Sequence, residues 1–390
     1  MANPPTPTAV DDTQVLRLPA PAPVPPAGYL DAVGGQPVLP VATEAWLVAA
    51  SQAWSDPARL HHPGRVAGQL LDAARTSFAR LLGIQPEEVF LTSSGPTALA
   101  TAIEGLGRRP GAPRRVVASA VESMAVLAPA DQWADVVDLV PVDRTGRLDE
   151  ASFAAALERP ASVACVQAAN PEVGTRQDLV RAAALARAAG VPLLVHAIQV
   201  IGRGPVPAHW DLLAASARDW GGPAGVGVLA VRRDVRWRPE ESPDRGWLSG
   251  FPDIPGAVAA ARAWEYVQPV ADHEAARLYA LTERIREALP SVGRGIEVVG
   301  HPTERVPHIV TFGCDDLVGE QLVHELSRHG ISVASGSACT SDARMPSQVL
   351  PAMGLTPDAS VRVSLPLGCS VETVDRFLDV LPDALAAARG

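Results

Sequence analysis

The sequence contains no lysine, since all 33 of its lysine-plus-arginine residues are arginine. Without an ε-amino group, the chain itself cannot supply a lysine Schiff base, a catalytic lysine base or a P-loop lysine. Acidic residues outnumber basic ones by 43 to 33, which gives a formal net charge of −10. This negative surplus argues against nucleic acid or an anionic membrane as a partner.

Long apolar runs and paired cysteines are also missing. No apolar stretch reaches the ~18 residues of a membrane span, and no basic region followed by an apolar one marks a secretory signal at the N-terminus. The four cysteines (Cys165, Cys314, Cys339 and Cys369) show neither a disulfide-framework pattern nor metal-ligand spacing. We therefore predict a cytoplasmic protein without a metal site.

The distribution of apolar residues predicts the domain organisation. Residues 1–28 are rich in Pro and Ala and lack periodicity, which predicts a disordered arm. Five apolar runs alternate with helix-compatible stretches, a pattern typical of a mostly parallel sheet covered on both faces. These runs span 116–120, 136–142, 162–169, 191–198 and 226–233. We predict an α/β fold with a large domain over 46–258, a smaller α+β domain over 259–390, and a segment 29–45 that packs with the small domain.

Polar residues lie where the predicted strands end. The stretch VFLTSSGPTALATAIEGLG predicts a strand, a small-residue turn and a helix whose N-terminal amides could face an anion. On this motif alone an ordinary strand-to-helix turn is the better explanation, because Gly-Ser turns are common. Asn170, His196 and Gln199 follow later strands, and the run DLLAASARDW contains Asp219. Ligands of parallel sheets bind at the carboxyl ends of the strands, so these residues are candidates for one site.

From Tyr29 to the C-terminus, the order of motifs resembles the cysteine desulfurases of the class V aminotransferase-like, pyridoxal-phosphate (fold type I) family. YLDAVGGQPV resembles the opening segment, and SDPARLHHPGRVAGQLLDAAR and PEEVFLTSSGPTALA resemble the next two motifs. ANPEVGT occurs where the family has "NNEtG", and VHAIQ occurs where it has "VDAvQ". SARDWGGPAGVG occurs where it has "SaHKiyGPkGvG". SGSACTSDARMPSQVLPAMG resembles the loop of the nucleophilic cysteine, and SVRVSLPLG resembles "siRiSlg".

The departures from the family patterns are at positions that contact the cofactor in the family. The resemblance places Asp219 where the family has its Schiff-base lysine, and His196 where an aspartate pairs with the pyridinium nitrogen. Ser123 replaces the histidine that stacks on the ring. In the loop RGWLSGF, Leu248 replaces an arginine and Phe251 a phosphate-binding threonine. We therefore expect no covalently bound cofactor, and regard non-covalent pyridoxal or pyridoxamine phosphate as an unfavoured alternative.

Other positions match the family. The resemblance implies a vestigial set of cofactor-binding residues, which consists of Thr97, Gln199, Ser216 and, at an altered position, Ser123. Arg362 matches the arginine that binds the substrate carboxylate, and Asn170 also matches a ligand-contacting position. Cys339 matches the sulfur-accepting nucleophile. Each has a plainer interpretation: Cys339 as a relic loop residue, Arg362 as a satisfied ion pair, and His196 with Asp219 as vacated positions joined by a hydrogen bond. Trp220 and Trp247 either fill the space of the ring or pack ordinarily.

The sequence therefore favours a catalytically degenerate cysteine desulfurase homologue. It would act as a dimeric partner or scaffold, or accept sulfur on Cys339. The expected partner is a second copy or a lysine-bearing desulfurase paralogue, with a sulfur-acceptor protein as a further one. The alternative is an enzyme of altered chemistry that uses His196, Asp219, Arg362 and Cys339.

Overall fold

The computed structural model describes residues 25–240, 242–314, 317–335, 347–355 and 360–389. A seven-stranded sheet lies at the centre of its large domain. The strands are β1 (Val89–Thr92), β2 (Arg115–Ser119), β3 (Val136–Val140), β4 (Val163–Gln167), β5 (Leu193–His196), β6 (Leu212–Ser216) and β7 (Gly227–Val231). Their order is β1-β7-β6-β5-β4-β2-β3, and β7 alone among them runs antiparallel to its neighbours. The predicted α/β fold with a mostly parallel sheet is confirmed.

Helices cover both faces of this sheet. They are α1 (Pro40–Gln52), α2 (His62–Leu82), α3 (Gly95–Gly107), α4 (Met124–Trp133), α5 (Glu150–Leu157), α6 (Leu179–Ala188) and α7 (Ile254–Val267). Successive strand residues point to opposite faces, so Leu194 and Val195 enter two different apolar clusters. Because both faces are buried, the strands read as continuous apolar runs in the sequence.

The small domain has an antiparallel sheet of order β10-β11-β9-β8. Its elements are α8 (Ala271–Val292), β8 (Ile296–Val299), β9 (Ile309–Cys314), α9 (Gly319–Arg328), β10 (Ala334–Ser335), α10 (Val349–Ala352), β11 (Ser360–Ser364) and α11 (Val371–Arg389). Its own apolar cluster lies between this sheet and the long helices α8 and α11. The predicted smaller α+β unit is present.

The segment before α1 connects the two domains. Leu30 lies in the small-domain cluster, and its N–H donates to the carbonyl of Ser332 over 2.8 Å. Leu39, nine residues later, lies in the large-domain core. The boundary at 258/259 expected from the sequence falls inside α7, where Trp264 packs in the large-domain core. The two domains meet along this segment, above the carboxyl ends of the central strands.

Candidate functional site

A cavity of about 690 Å³ lies at the carboxyl ends of the central strands. Its floor includes His196 at the end of β5 and Ser216 at the end of β6. Asp31, from the segment before α1, and Arg362, from β11, also line it. The parallel sheet therefore brings together residues far apart in the sequence, at the edge where such sheets bind ligands.

Asp219 is the buried acid of this cavity. It lies in a short 3-10 helix, Ala217–Trp220, directly after β6, and is only 5% exposed. Burial raises the pKa of its carboxyl group to about 6, against the opposing effect of the charges of Arg218, His196 and Arg203. Its Oδ2 atom has no hydrogen-bond partner among the described residues. An open acceptor on a buried acid is costly unless a ligand or water satisfies it.

His196 is backed by a second acid, Glu122. The Nδ1 atom of His196 lies 3.5 Å from Glu122 Oε2 and 3.5 Å from Ser123 Oγ. Glu122 is fully buried, and its Oε1 has no partner in the described structure. A carboxylate beside Nδ1 favours the tautomer with its proton on Nδ1, which leaves Nε2 as an acceptor. Sequence reasoning missed Glu122, although it directly precedes Ser123 in the motif ESMAVL.

Two arginines supply positive charge to the cavity. Arg362 is 3% exposed, forms a 3.0 Å ion pair with Asp31 and donates to the carbonyl of Pro171 over 3.3 Å. Arg218 is half-buried and lines the cavity beside Asp219. Arg362 thus has the ion pair of the plainer interpretation and also lines the cavity, so its role as a substrate-binding residue stays a prediction. Arg218 was not among the predicted site residues, although it directly precedes Asp219.

The N-terminus of α3 offers few free donors to an anion. Gly95 and Pro96 line the cavity, and proline has no N–H. The N–H and the hydroxyl of Thr97 both contact Ser94 Oγ, at 3.1 and 2.8 Å, and Thr97 does not line the cavity. Ser216 does line it, and its hydroxyl has no partner among the described residues.

Asn170 and Gln199 brace the backbone and the core. Both are at most 1% exposed and are absent from the cavity wall. The side-chain amide of Asn170 donates to the carbonyl of Val121 over 3.1 Å, and its oxygen accepts the N–H of Glu172 and of Val173. The Oε1 atom of Gln199 lies 2.8 Å from Nε2 of the buried His308. Asn170 and Gln199 thus hold the loops behind the cavity.

Two tryptophans and two loop residues occupy positions apart from the cavity. Trp220 packs 5.0 Å from Trp264, ring to ring, and its indole N–H donates to the carbonyl of Ala260. Trp247 also lies in the large-domain core, so ordinary packing explains both tryptophans. Leu248 is buried, whereas Phe251 is 66% exposed. None of these four side chains lines the cavity.

Comparisons with known proteins agree with this architecture. The model of the family described as aminotransferase class-V matches residues 29–377. The chain belongs to the class V aminotransferase family. It is 34% identical to a cysteine desulfurase of Cereibacter sphaeroides, over 91% of this chain and 94% of that protein. It is 31% identical to cysteine desulfurase NifS of Azotobacter vinelandii, over 93% of each chain. A solved structure of a NifS-like protein superposes with a TM-score of 0.84 at 25% identity, covering 92% of this chain and 99% of that one.

Class V aminotransferases generally use pyridoxal phosphate, and the residues of this cavity do not fit an aldimine-linked form of it. An aldehyde needs an amine at position 219, where the side chain is a buried carboxylate with an open oxygen. A pyridinium nitrogen needs an acid at position 196, where the side chain is an imidazole. At the N-terminus of α3, where a phosphate would bind, Pro96 has no N–H to donate and the hydroxyl of Thr97 is already paired with Ser94 Oγ.

Several predictions lie beyond what the described residues can address. Cys339 and the arm of residues 1–24 are outside the described residues. The other three cysteines are buried. Among the described helices, none combines the length and the apolarity needed to cross a membrane. Over the same residues, no group of three or more His, Cys, Asp or Glu side chains could hold a metal ion.

Proposed function

We propose that this chain is a cysteine desulfurase homologue that does not form a Schiff base and that acts in sulfur transfer as a dimeric partner or a sulfur acceptor. The observation that carries the proposal is Asp219, a buried carboxylate at the end of β6 where the family pattern has lysine. No other residue of the chain, nor of a second copy, can replace that amine, because the sequence has no lysine.

Sulfur would be accepted on Cys339. Its thiolate would attack the outer sulfur of a persulfide carried by an active desulfurase. The sulfur–sulfur bond of the donor breaks, the donor cysteine leaves as a thiolate, and the persulfide is then on Cys339. This exchange needs no lysine and no external oxidant.

The other cysteines provide a built-in control for this step. Burial raises the pKa of the Cys165 thiol well above its ordinary value and that of Cys369 to about 11. Cys314 is also buried. Because thiolates are the reactive form, these three thiols should stay silent in the folded protein.

The partner would be a second copy or a lysine-bearing paralogue. Support comes from large apolar side chains exposed on and after α1, where solvent contact is unfavourable. Trp46 is 42% exposed, Leu47 61% and Trp54 70%. Phe251, in the loop before α7, is a further large apolar side chain and is 66% exposed.

The test combines a spectrum with a labelling experiment. Protein purified from cells fed pyridoxine should show no aldimine absorbance and no borohydride-reducible adduct. Incubation with an active desulfurase and cysteine should place a persulfide on the wild type but not on Cys339→Ser. A stoichiometric reducible adduct would refute the missing Schiff base. Equal persulfide labelling of wild type and Cys339→Ser would refute the acceptor role and leave the partner role.

A second candidate is an enzyme of altered chemistry in the same cavity. It is favoured by one observation, the pairing of Glu122 with His196 beside the buried Asp219. Carboxylate-supported imidazoles serve as general bases in many enzymes. In this candidate Arg362 binds a substrate carboxylate and Cys339 adds a nucleophile, with or without non-covalent pyridoxal or pyridoxamine phosphate.

A further inference from the structure

A second cavity, of about 380 Å³, lies at the opposite end of the central sheet. It is lined by Pro113 and Ala161, each two residues before a strand, and by Pro192, directly before β5. The strands concerned, β2, β4 and β5, are parallel neighbours, so their amino ends lie along one edge. His196, which lines the first cavity, is the last residue of β5. The two cavities therefore lie at opposite ends of the same strands and share no lining residue.

Arg109 brings a positive charge to this second cavity without an acid to pair with it. Its Nε atom donates to the carbonyl of Leu106 over 2.7 Å, and Nη2 donates to that of Ser162 over 2.8 Å. Burial lowers the pKa of the guanidinium group, and no neighbouring charge opposes this effect. The adjacent Arg108, in contrast, pairs with Glu104 over 2.8 Å. The Nη1 atom of Arg109 forms no hydrogen bond within the described residues, so its N–H groups are open to an anion.

Arg236 is a second arginine of the same lining. It lies in the segment after β7, is exposed, and forms neither an ion pair nor a side-chain hydrogen bond in the part of the chain that the structure describes. Among the described residues that line the cavity, the exposed Glu158 is the one acid. Two arginines against one glutamate give the lining a positive formal charge, in a chain whose overall charge is −10.

The backbone carbonyls beside the cavity are already used as acceptors. α5 and α6 end there, and the C-terminus of a helix by itself favours a cation. At the end of α5, however, Arg115 donates to the carbonyls of Ala156 and Arg159. At the end of α6, the N–H groups of residues 189–191 donate to the carbonyls of residues 185–187. Apart from one exposed carboxylate, the open hydrogen-bonding groups of the side chains in the lining are therefore guanidinium donors.

The remaining walls of the cavity are apolar and rigid. Four lining residues are prolines, at positions 110, 113, 160 and 192. Proline has a fixed φ and no N–H, so these walls neither move easily nor donate hydrogen bonds. The buried side chains of Leu157 and Val191 add further apolar surface. Small-molecule sites combine such walls with a few charged groups, at volumes of about 300–1,000 Å³. The lining therefore suits a small organic ligand better than a bare inorganic ion.

We propose that this second cavity binds a small organic anion. Its carboxylate or phosphate group would pair with Arg109 and Arg236, and its apolar body would pack against the prolines. Guanidinium groups bind both kinds of anion through paired N–H donors, so these two ligand sources share the required chemistry. The site is apart from the first cavity, and the proposal does not depend on the absence of a Schiff base.

Binding of simple aromatic anions tests the proposal. Benzoate and phenyl phosphate are compared with benzamide, which is neutral and has the shape of benzoate. Calorimetry with the full-length protein, at neutral pH and constant ionic strength, measures each dissociation constant. We expect at least one of the two anions to bind at least tenfold more tightly than benzamide. The anion that binds more tightly identifies the source, a carboxylate or a phosphate ester.

The variant Arg236→Gln should reduce that preference to less than threefold, because it removes one of the two positive charges. Arg238→Gln is the matched control, since it removes the same charge from an exposed residue of the same segment that does not line the cavity. This control should keep the full preference. Glu158→Gln removes the negative charge of the lining and should keep or increase the preference. A melting curve verifies that each variant is folded.

The proposal is overturned if neither anion is preferred over benzamide, if Arg236→Gln keeps the preference, or if Arg238→Gln loses it to the same extent. Weaker binding of the anion by Glu158→Gln also overturns it, because a carboxylate that assists binding indicates a cationic ligand. These outcomes are separate from the test of the proposed function. A borohydride-reducible adduct with pyridoxal phosphate contradicts that function and leaves this inference unaffected.

Discussion

Replacing Asp219 with Asn should stabilise the protein at neutral and alkaline pH. The carboxyl group has a pKa of about 6 in the folded protein against a reference value of 3.8, with burial as the largest cause. The folded state therefore binds more protons than the unfolded state between these two values. The contribution of Asp219 to stability is therefore most favourable below pH 3.8 and falls as the pH rises toward about 6.

The magnitude follows from the size of the shift. A displacement of roughly two pKa units corresponds to about 3 kcal/mol of lost stability above pH 6, at about 1.4 kcal/mol per unit. Asn has the shape of the protonated acid and cannot ionise. The stability difference between Asp219→Asn and wild type should therefore be near zero at pH 3.5. It should grow through pH 4 to 6 and level off at up to about 3 kcal/mol at pH 8.

Urea unfolding at a series of pH values measures this difference. Glu88→Gln provides a control of opposite sign. Burial raises the pKa of Glu88, but N–H donors of Gln85 and Arg233 and the charges of Arg233 and Arg232 outweigh it, so the net pKa is lowered. Glu88→Gln should therefore become more destabilising as the pH rises above the acid range. A stability difference for Asp219→Asn that stays constant from pH 3.5 to 8 would refute the reasoning.

Three further predictions concern the site, the core and the surface. Asp219→Lys alone should leave cysteine desulfurase activity at least tenfold below that of an active relative in a sulfide-release assay, because His196 still occupies the position that would face the ring nitrogen. A rate within tenfold of the relative contradicts this prediction, since tenfold in rate corresponds to ~1.4 kcal/mol of activation free energy. Trp220→Ala should lower the free energy of unfolding by ~3–5 kcal/mol in urea titrations, since it empties a fully buried site. Trp54→Glu should convert a dimer to monomer in light scattering, while Val180→Glu on α6, where the side chain is 60% exposed against 70% for Trp54, should not; a wild-type monomer refutes the dimer.

The sequence predicts the large sheet well because its strands are buried on both faces. Three parallel strands and β7 each fall within a predicted apolar run, and β2 overlaps its run but begins one residue earlier, at Arg115. β6 was not predicted as a strand, since its sequence LLAAS ends in two alanines and a serine, residues with little β preference. It forms a strand because β5 and β7 pair with it on either side. Pairing with neighbouring strands therefore determines the extended conformation of β6, which its local sequence does not favour.

Motif matching located five residues of the cavity wall but not the electrostatics of the cavity. His196, Ser123, Ser216, Asp219 and Arg362 all line it, as their order in the motifs indicates. The contact of Glu122 with His196 depends on how β2 and β5 are spaced in the sheet, with β4 between them. No spacing along the chain encodes that distance.

The cost of the buried acid is itself an argument for a ligand. An apolar residue at position 219 would avoid the penalty of about 3 kcal/mol that ionised Asp219 imposes at neutral pH. A position needed only for folding gains nothing from an open carboxylate oxygen that faces a cavity of about 690 Å³. The neighbouring Trp220 shows how the same short helix buries an apolar side chain with its one polar atom satisfied. A water or ligand group that donates a hydrogen bond to Asp219 Oδ2 would offset part of this cost, because it satisfies the oxygen that burial otherwise leaves without a partner.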